Sequence, residues 1–248
     1  MKLTVEGLTY SYFGRRDLAL KNLSFEVSEF PAVVLGPNGA GKTTVFGLLT
    51  ARLRSRVGRI EIAGNSMASR RGRRQLRTFT GWLPQEVRPM PGLRAREQVA
   101  YFGWLKGLRS KDAWEKAEGA LAMVGLSDEA STRSSALSGG QLRRLGIAQA
   151  LVHSPSVLIL DEPYAGLDPH QRGNLRDLLI ELSELVAIVV STHQTEDLSE
   201  IYRTVIVIDH GELRFTGDTV GFLSLAGDDV PARFRAEHAY RQTVGVQS

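Results

Sequence analysis

The strongest chemical signal in the chain is the string Gly36-Pro37-Asn38-Gly39-Ala40-Gly41-Lys42-Thr43-Thr44. Its glycines let the backbone wrap closely round a polyphosphate, so that successive N–H groups and the N-terminus of a following helix face the negative charge. Lys42 is then placed to reach β- and γ-phosphates, and the hydroxyl of Thr43 to sit on magnesium. A second chemical pair, Asp161-Glu162, follows directly on the apolar run Val157 to Leu160. In a parallel sheet the ligand crevice lies beyond the carboxyl ends of the strands, and both motifs stand at such ends. Asp161 is therefore positioned to hold magnesium through water, and Glu162 to polarise an attacking water. Taken alone, a glycine-rich string can be a plain strand-to-helix turn, and an acidic pair a helix N-cap or a solvated loop.

These residues need a sheet to place them. Four short apolar runs, Ala32 to Leu35, Val157 to Leu160, Val186 to Val190 and Val205 to Ile208, read as buried parallel strands. The stretch from Val45 to Leu53 reads as the helix after the glycine string. Leu3 to Tyr12 and Leu20 to Val27 alternate apolar and polar residues, as antiparallel strands covering one edge do. Between about Pro89 and Pro155 no strand-like run occurs; Ala113, Ala117, Ala120, Leu121 and Val124 recur at helical spacing, and Gly125 follows as a stop. The fold class expected is α/β with a mostly parallel sheet, antiparallel edge strands and an inserted α-helical subdomain. Residues 1–88 and 155–227 form the expected nucleotide-binding core and residues 89–154 the helical insert. Residues 228–248 are left as a C-terminal tail, with some helical pattern in Ala236, Tyr240 and Val244.

Composition narrows the function classes. The chain has 248 residues, 42% apolar and 23% charged, which is ordinary globular usage and excludes a wholly disordered or fibrous protein. No apolar run approaches the roughly 20 residues a spanning helix needs. The start, Met1-Lys2-Leu3-Thr4-Val5-Glu6, carries an acid where a secretory signal has its apolar stretch, so export of the chain is not expected. With no cysteine, disulfide, thiolate-zinc and cysteine-nucleophile chemistry all fall away. The net charge of +4 hides an asymmetry: between Arg52 and Arg77 stand nine arginines and one acid, Glu61, a local +8 that leaves about −4 for the rest. That strip reads as a solvated face, an edge near a membrane partner or lipid headgroups, or a nucleic-acid patch.

Leu137-Ser138-Gly139-Gly140-Gln141 completes the pattern. Ser138 and the amides of Gly139 and Gly140 head the stretch Arg143 to Leu151, read as a helix whose dipole favours an anion. With this string the chain resembles the ATP-binding cassette (ABC) ATPases, a family of P-loop nucleoside triphosphatases, over about residues 3–220. The resemblance implies a cassette in which each ATP is held between one subunit's Gly36 to Thr44 loop and the opposite subunit's Leu137 to Gln141 signature. Gln85, in Gly81-Trp-Leu-Pro-Gln85, resembles the glutamine that joins magnesium to the transporter interface. Asp168, in Ala165-Gly166-Leu167-Asp168, matches the coupling loop after the catalytic acid. His193 resembles the histidine that contacts the γ-phosphate, and Tyr12 the aromatic that stacks on adenine, with Tyr10 and Phe13 as neighbours. By itself His193 would read as a structural histidine and Gln85 as a surface polar residue. Two departures stand out: Tyr164 replaces the family's commonest threonine after the acidic pair and proline, and Glu29 its usual glycine before the P-loop strand. In the resemblance neither touches phosphate.

What the resemblance implies is hydrolysis of ATP with Mg2+, Lys42, Glu162, His193 and Gln85 carrying catalysis, and Thr43, Gln85 and Asp161 serving the metal. GTP is the rival nucleotide; the only Asn-x-x-Asp string, Asn174 to Asp177, lacks the lysine of a guanine-reading motif. The partners implied are a second ATPase subunit, identical or not, and an integral membrane transporter subunit, with the chain peripheral on the cytoplasmic face of the membrane. The stretch Met90 to Leu108 and the run Arg143 to Ala148 resemble the bacterial export-type branch, which moves drugs, lipids, polysaccharides or ions. The alternative readings are a soluble ABC ATPase acting on ribosomes or nucleic acid, and a nucleotide-gated module without turnover. Relatives of the first kind generally carry two cassettes or a long coiled coil, so no specific nucleic acid is expected.

Overall fold

The computed structural model describes residues 1–198, 201–227 and 229–245. Along the chain the strands and helices are β1 (Leu3–Tyr10), β2 (Leu20–Val27), β3 (Ala32–Leu35), α1 (Lys42–Leu49), β4 (Val57–Ile62), β5 (Asn65–Ser66), α2 (Arg70–Phe79) and β6 (Thr80–Leu83). Then come α3 (Ala95–Leu105), α4 (Ser110–Met123), α5 (Gly139–Leu151), β7 (Val157–Asp161), α6 (Pro169–Ser183) and β8 (Ala187–Thr192). The chain closes with β9 (Thr204–Asp209), β10 (Glu212–Asp218), α7 (Thr219–Ser224) and α8 (Ala232–Val244). Two compact units are built from these, Met1–Leu76 with Ile188–Ser248 and Arg77–Ala187.

In the first unit β3 is the centre of the parallel layer. All four of its residues are buried, and it pairs in parallel with β8 on one side and β9 on the other. Burial on both faces is why its sequence is an unbroken Ala-Val-Val-Leu rather than an alternation. β10 returns antiparallel along β9. The expected antiparallel pair is present, but in a sheet of its own rather than on an edge of the parallel layer: β1 pairs antiparallel with β2, and on its other side with β4, which also pairs with β5. β4 lies inside the arginine strip, and of its own residues only Ile60 and Ile62 are buried; with so short an apolar alternation it gives little strand signal. The tail forms α8, which buries Ala239.

In the second unit β6 and β7 run parallel, and all five residues of β7 are buried. Between them in sequence lie α3, α4 and α5, with no strand from Pro89 to Pro155 among the described residues. α4 buries Ala113, Ala117, Ala120 and Leu121 at helical spacing. Gly125 follows it with φ +65°, a left-handed residue of the kind that ends helices. α5 begins with a reciprocal cap. Ser138 Oγ accepts from the Gln141 N–H at 3.3 Å, and Gln141 Oε1 accepts from the Ser138 N–H at 3.0 Å, which satisfies two orphan donors of the first turn.

Candidate nucleotide site

The glycine string lies in the first unit, between β3 and α1. Gly36 opens it under tight packing: a Cβ there would fall 2.2 Å from the carbonyl oxygen of Ile208. The Gly36 N–H donates to the Thr192 carbonyl at 3.3 Å, which sets His193, an exposed residue, one step from the loop's origin. Pro37, Asn38 and Gly39 are exposed. Gly39 and Gly41 have φ of +84° and +108°, conformations that side chains strain to adopt. Gly41 is the N-cap of α1, with no side chain capping the first turn and no acid in it. The N–H groups of that turn therefore meet no competing carboxylate. Lys42 is nearly buried, and its Nζ donates to the carbonyls of Gly36 at 2.6 Å and Pro37 at 3.2 Å, which curls the ammonium into the loop. Thr43 is exposed. Thr44 is buried, and its Oγ1 lies 2.9 Å from the hydroxyl of Tyr12. Phe13 is fully exposed. A turn that the sequence does not advertise braces the loop from outside: the Gly211 N–H, between β9 and β10, donates to the Ala40 carbonyl at 3.0 Å.

The second unit carries the acidic pair and the signature. Asp161 is wholly buried and Glu162 nearly so. Glu162 has φ +48°, a left-handed backbone rare outside glycine and concentrated at functional sites. Gln85 is exposed just beyond β6. Asp168 caps α6, its Oδ1 accepting from the Gln171 N–H at 2.9 Å, with Pro169 favourably placed at the first helical position. The signature turn is at the surface: Ser138 and Gly139 are exposed, and Leu137, Gly140 and Gln141 half-buried. Gln141 Nε2 donates to Glu129 Oε1 at 2.8 Å, a support that motif reading misses because Glu129 lies twelve residues upstream in an irregular loop.

The residues present suit a nucleoside triphosphate. The loop of Gly36 to Thr44 has exposed backbone at its tip, an uncapped helix start and a lysine turned into it, the elements a polyphosphate needs. Among the described residues no cluster of three or more His, Cys, Asp or Glu side chains could hold a metal by itself. Thr43, exposed beside Lys42, offers an oxygen of the kind magnesium takes together with substrate phosphates and water.

The ABC transporter family model matches residues 20–165, more than half of the chain. This chain belongs to the ABC transporter family. The uncharacterised ABC transporter ATP-binding protein YxlF of Bacillus subtilis (strain 168) is 38% identical over 217 residues, covering 87% of this chain and 70% of that one. The linearmycin resistance ATP-binding protein LnrL of the same organism is 30% identical over 229 residues, covering 92% and 72%. Among solved structures, cbiO1 from Clostridium perfringens, part of the ABC transporter complex cbiONQ, superimposes with a TM-score of 0.77 at 30% identity over 87% of this chain and 88% of that one. The fold is the P-loop ATPase cassette of this family, and the chain is an ATP-binding, ATP-hydrolysing component of an ABC transporter. Among the described residues no helix is long and apolar enough to cross a membrane.

Proposed function

We propose that this cassette drives export, and that it works by closing head to tail on a second copy of itself. The observation that carries the reading is the pairing of two anion-binding ends in one chain: the open Gly36 to Thr44 loop at the start of α1, and the surface-exposed Ser138 to Gly140 turn at the start of α5. Glycine loop, signature, acidic pair and His193 are all intact, so two identical chains supply every part of both sites. In this reading the loop of one copy and Leu137, Ser138, Gly139, Gly140 and Gln141 of the other enclose each ATP.

Lys42 and the loop of Gly36, Pro37, Asn38, Gly39, Ala40 and Gly41 bind the phosphates, chiefly through the N–H groups of Asn38, Gly39 and Gly41, since proline has none and the Gly36 N–H is bonded to the Thr192 carbonyl, and Tyr12 lies against the base. Glu162 orients and deprotonates the attacking water, and His193 donates to the γ-phosphate. Thr43, Gln85 and Asp161 would hold Mg2+, which supplies charge neutralisation between phosphate oxygens. Asp168 couples the two sites. An integral membrane partner supplies the pathway, and the cassette sits on its cytoplasmic face. Resistance systems such as that of LnrL support export, and the transporter names of the relatives favour a membrane partner over ribosomes or nucleic acid. The test is phosphate release from ATP by the chain reconstituted with the membrane protein that co-purifies with it. Release that depends on Mg2+ and on Glu162 is expected. Equal turnover by Glu162→Gln would remove that residue from its role.

A further inference from the structure

Arg143 lies in the second turn of α5 and is about nine-tenths buried. Its Nη1 donates to the carbonyl of Gln85 at 2.8 Å and to that of Pro84 at 3.3 Å, and its Nη2 to the carbonyl of Ala165 at 3.2 Å. One rigid guanidinium thus joins three stretches of chain: the helix that starts at the signature, the segment that bears Gln85, and the loop that leads to Asp168. Burying a cation is unfavourable unless its donors are satisfied and a counter-charge is near. Here the carbonyls satisfy the donors and Asp161 supplies the charge; burial lowers the Arg143 pKa, and the attraction of Asp161 opposes that shift.

The packing of the same helix points the same way. A Cβ at Gly146, one turn further on, would meet Leu83 Cδ1 at 2.5 Å and Val87 Cγ2 at 2.6 Å, the residues two before and two after Gln85. A Cβ at Gly140 would stand 3.3 Å from Gln171 Cδ, and the Gln171 N–H is the donor that Asp168 accepts. α5 is therefore pressed against both segments to which Arg143 is bonded.

We propose that Arg143 is a positioning residue that locks the backbone of Gln85 and of Ala165 to the signature helix. The Gln85 segment, the Asp168 loop and the Ser138 to Gly140 turn then move as one body when the ATP site closes. The proposal rests on the reading that the signature closes on a second copy. A guanidinium suits this because its planar fork serves carbonyls on two loops at once, which a single ammonium on a flexible stem does not.

The test compares Arg143→Gln and Arg143→Lys in the full chain. Kinetics with the membrane partner use the otherwise native sequence, and ATP-driven dimerisation is followed by light scattering in a Glu162→Gln background. Arg143→Gln is expected to keep nucleotide affinity of the single chain and KM within about twofold, while kcat and the dimer association constant each fall about tenfold. Arg143→Lys is expected to fall between Gln and Arg. Hydrogen exchange of the nucleotide-free chain gives a readout apart from activity: the amides of Ala165 and Leu167, which donate to the carbonyls of Glu162 and Tyr164, are expected to lose protection while β3 and β9 keep theirs. Should the Gln variant fail to fold, the Lys variant decides. Native dimerisation and native exchange in Arg143→Lys overturn the proposal, as does protection lost across the whole chain together with nucleotide affinity. If the Glu162→Gln parent itself does not dimerise with ATP, the head-to-tail reading fails, and unchanged protection at Ala165 and Leu167 in either variant still refutes the lock.

Discussion

Gly36 offers a sharp test of how the nucleotide loop is anchored. Replacing it by alanine places a Cβ 2.2 Å from the Ile208 carbonyl oxygen, 3.1 Å from Ala40 Cβ and 3.3 Å from the Ile208 carbonyl carbon. The first contact is with backbone, and Ile208 is wholly buried in β9, so no side-chain rotation relieves it. About 1 Å of separation must open between the end of β3 and β9. Overpacking of a well-packed site typically costs about 1–3 kcal/mol, and a backbone clash lies at the upper end. For a chain of this size that corresponds to a fall in melting temperature of roughly 4–12 °C. Gly39→Ala is the control. Nothing lies within 4 Å of its Cβ, so its cost is confined to holding alanine at φ +84°, about 1–2 kcal/mol. Calorimetric melting of both variants, with fluorescent-nucleotide binding beside it, measures the difference. If Gly36→Ala melts as high as Gly39→Ala, the loop is not pinned to β9 as described.

Further outcomes follow from individual groups. Lys42→Ala should weaken ATP binding by about tenfold or more, since it removes the cation that the loop holds inward, and equilibrium nucleotide binding checks it. Glu162→Gln should slow turnover by roughly 10²- to 10⁴-fold while ATP still binds, which single-turnover phosphate release resolves. Ser138→Ala removes the reciprocal cap of α5 and should cost about 1 kcal/mol of stability, seen as a lower denaturation midpoint. His153 is driven down to about 4, first by burial and then by Lys106, against the pull of its bond to the Thr80 carbonyl. The unfolded chain therefore binds a proton that the folded chain refuses between about pH 6.5 and 4. Stability carried by a neutral His153 is complete above that window and declines as pH falls through it. His153→Gln should flatten the slope by up to one proton in pH-dependent unfolding.

Much of this architecture is readable from residue order because the decisive signals are local. β3 and β2 occupy the spans their patterns mark, Ala32–Leu35 and Leu20–Val27, since full burial, or an alternation broken only at Lys21-Asn22, leaves one reading. Gly125 ends α4 where expected. Helix α1 begins at Lys42 rather than Val45 and stops at Leu49, as its start is fixed by the left-handed Gly41 and not by hydrophobic period. β4, β6 and β10 carry weak signals, being short, half-exposed or rich in charge. What motif spacing could not reveal is long-range bonding to backbone. The links from Arg143 to Gln85 and Ala165, from Gly211 to Ala40 and from Gly36 to Thr192 join residues far apart in sequence, and carbonyls leave no mark in side-chain identity. The strain at Glu162 is equally silent, since glutamate seldom adopts a positive φ.

The chain has no cysteine, so single thiols can be placed without background. Asn38→Cys in one population and Ser138→Cys in another, both with Glu162→Gln, allow the two half-sites to be joined by mild oxidation. A disulfide linking one Asn38→Cys chain to one Ser138→Cys chain, formed with ATP and not with ADP, is the predicted result. Absence of that mixed product in ATP, or its equal yield without nucleotide, contradicts head-to-tail closure.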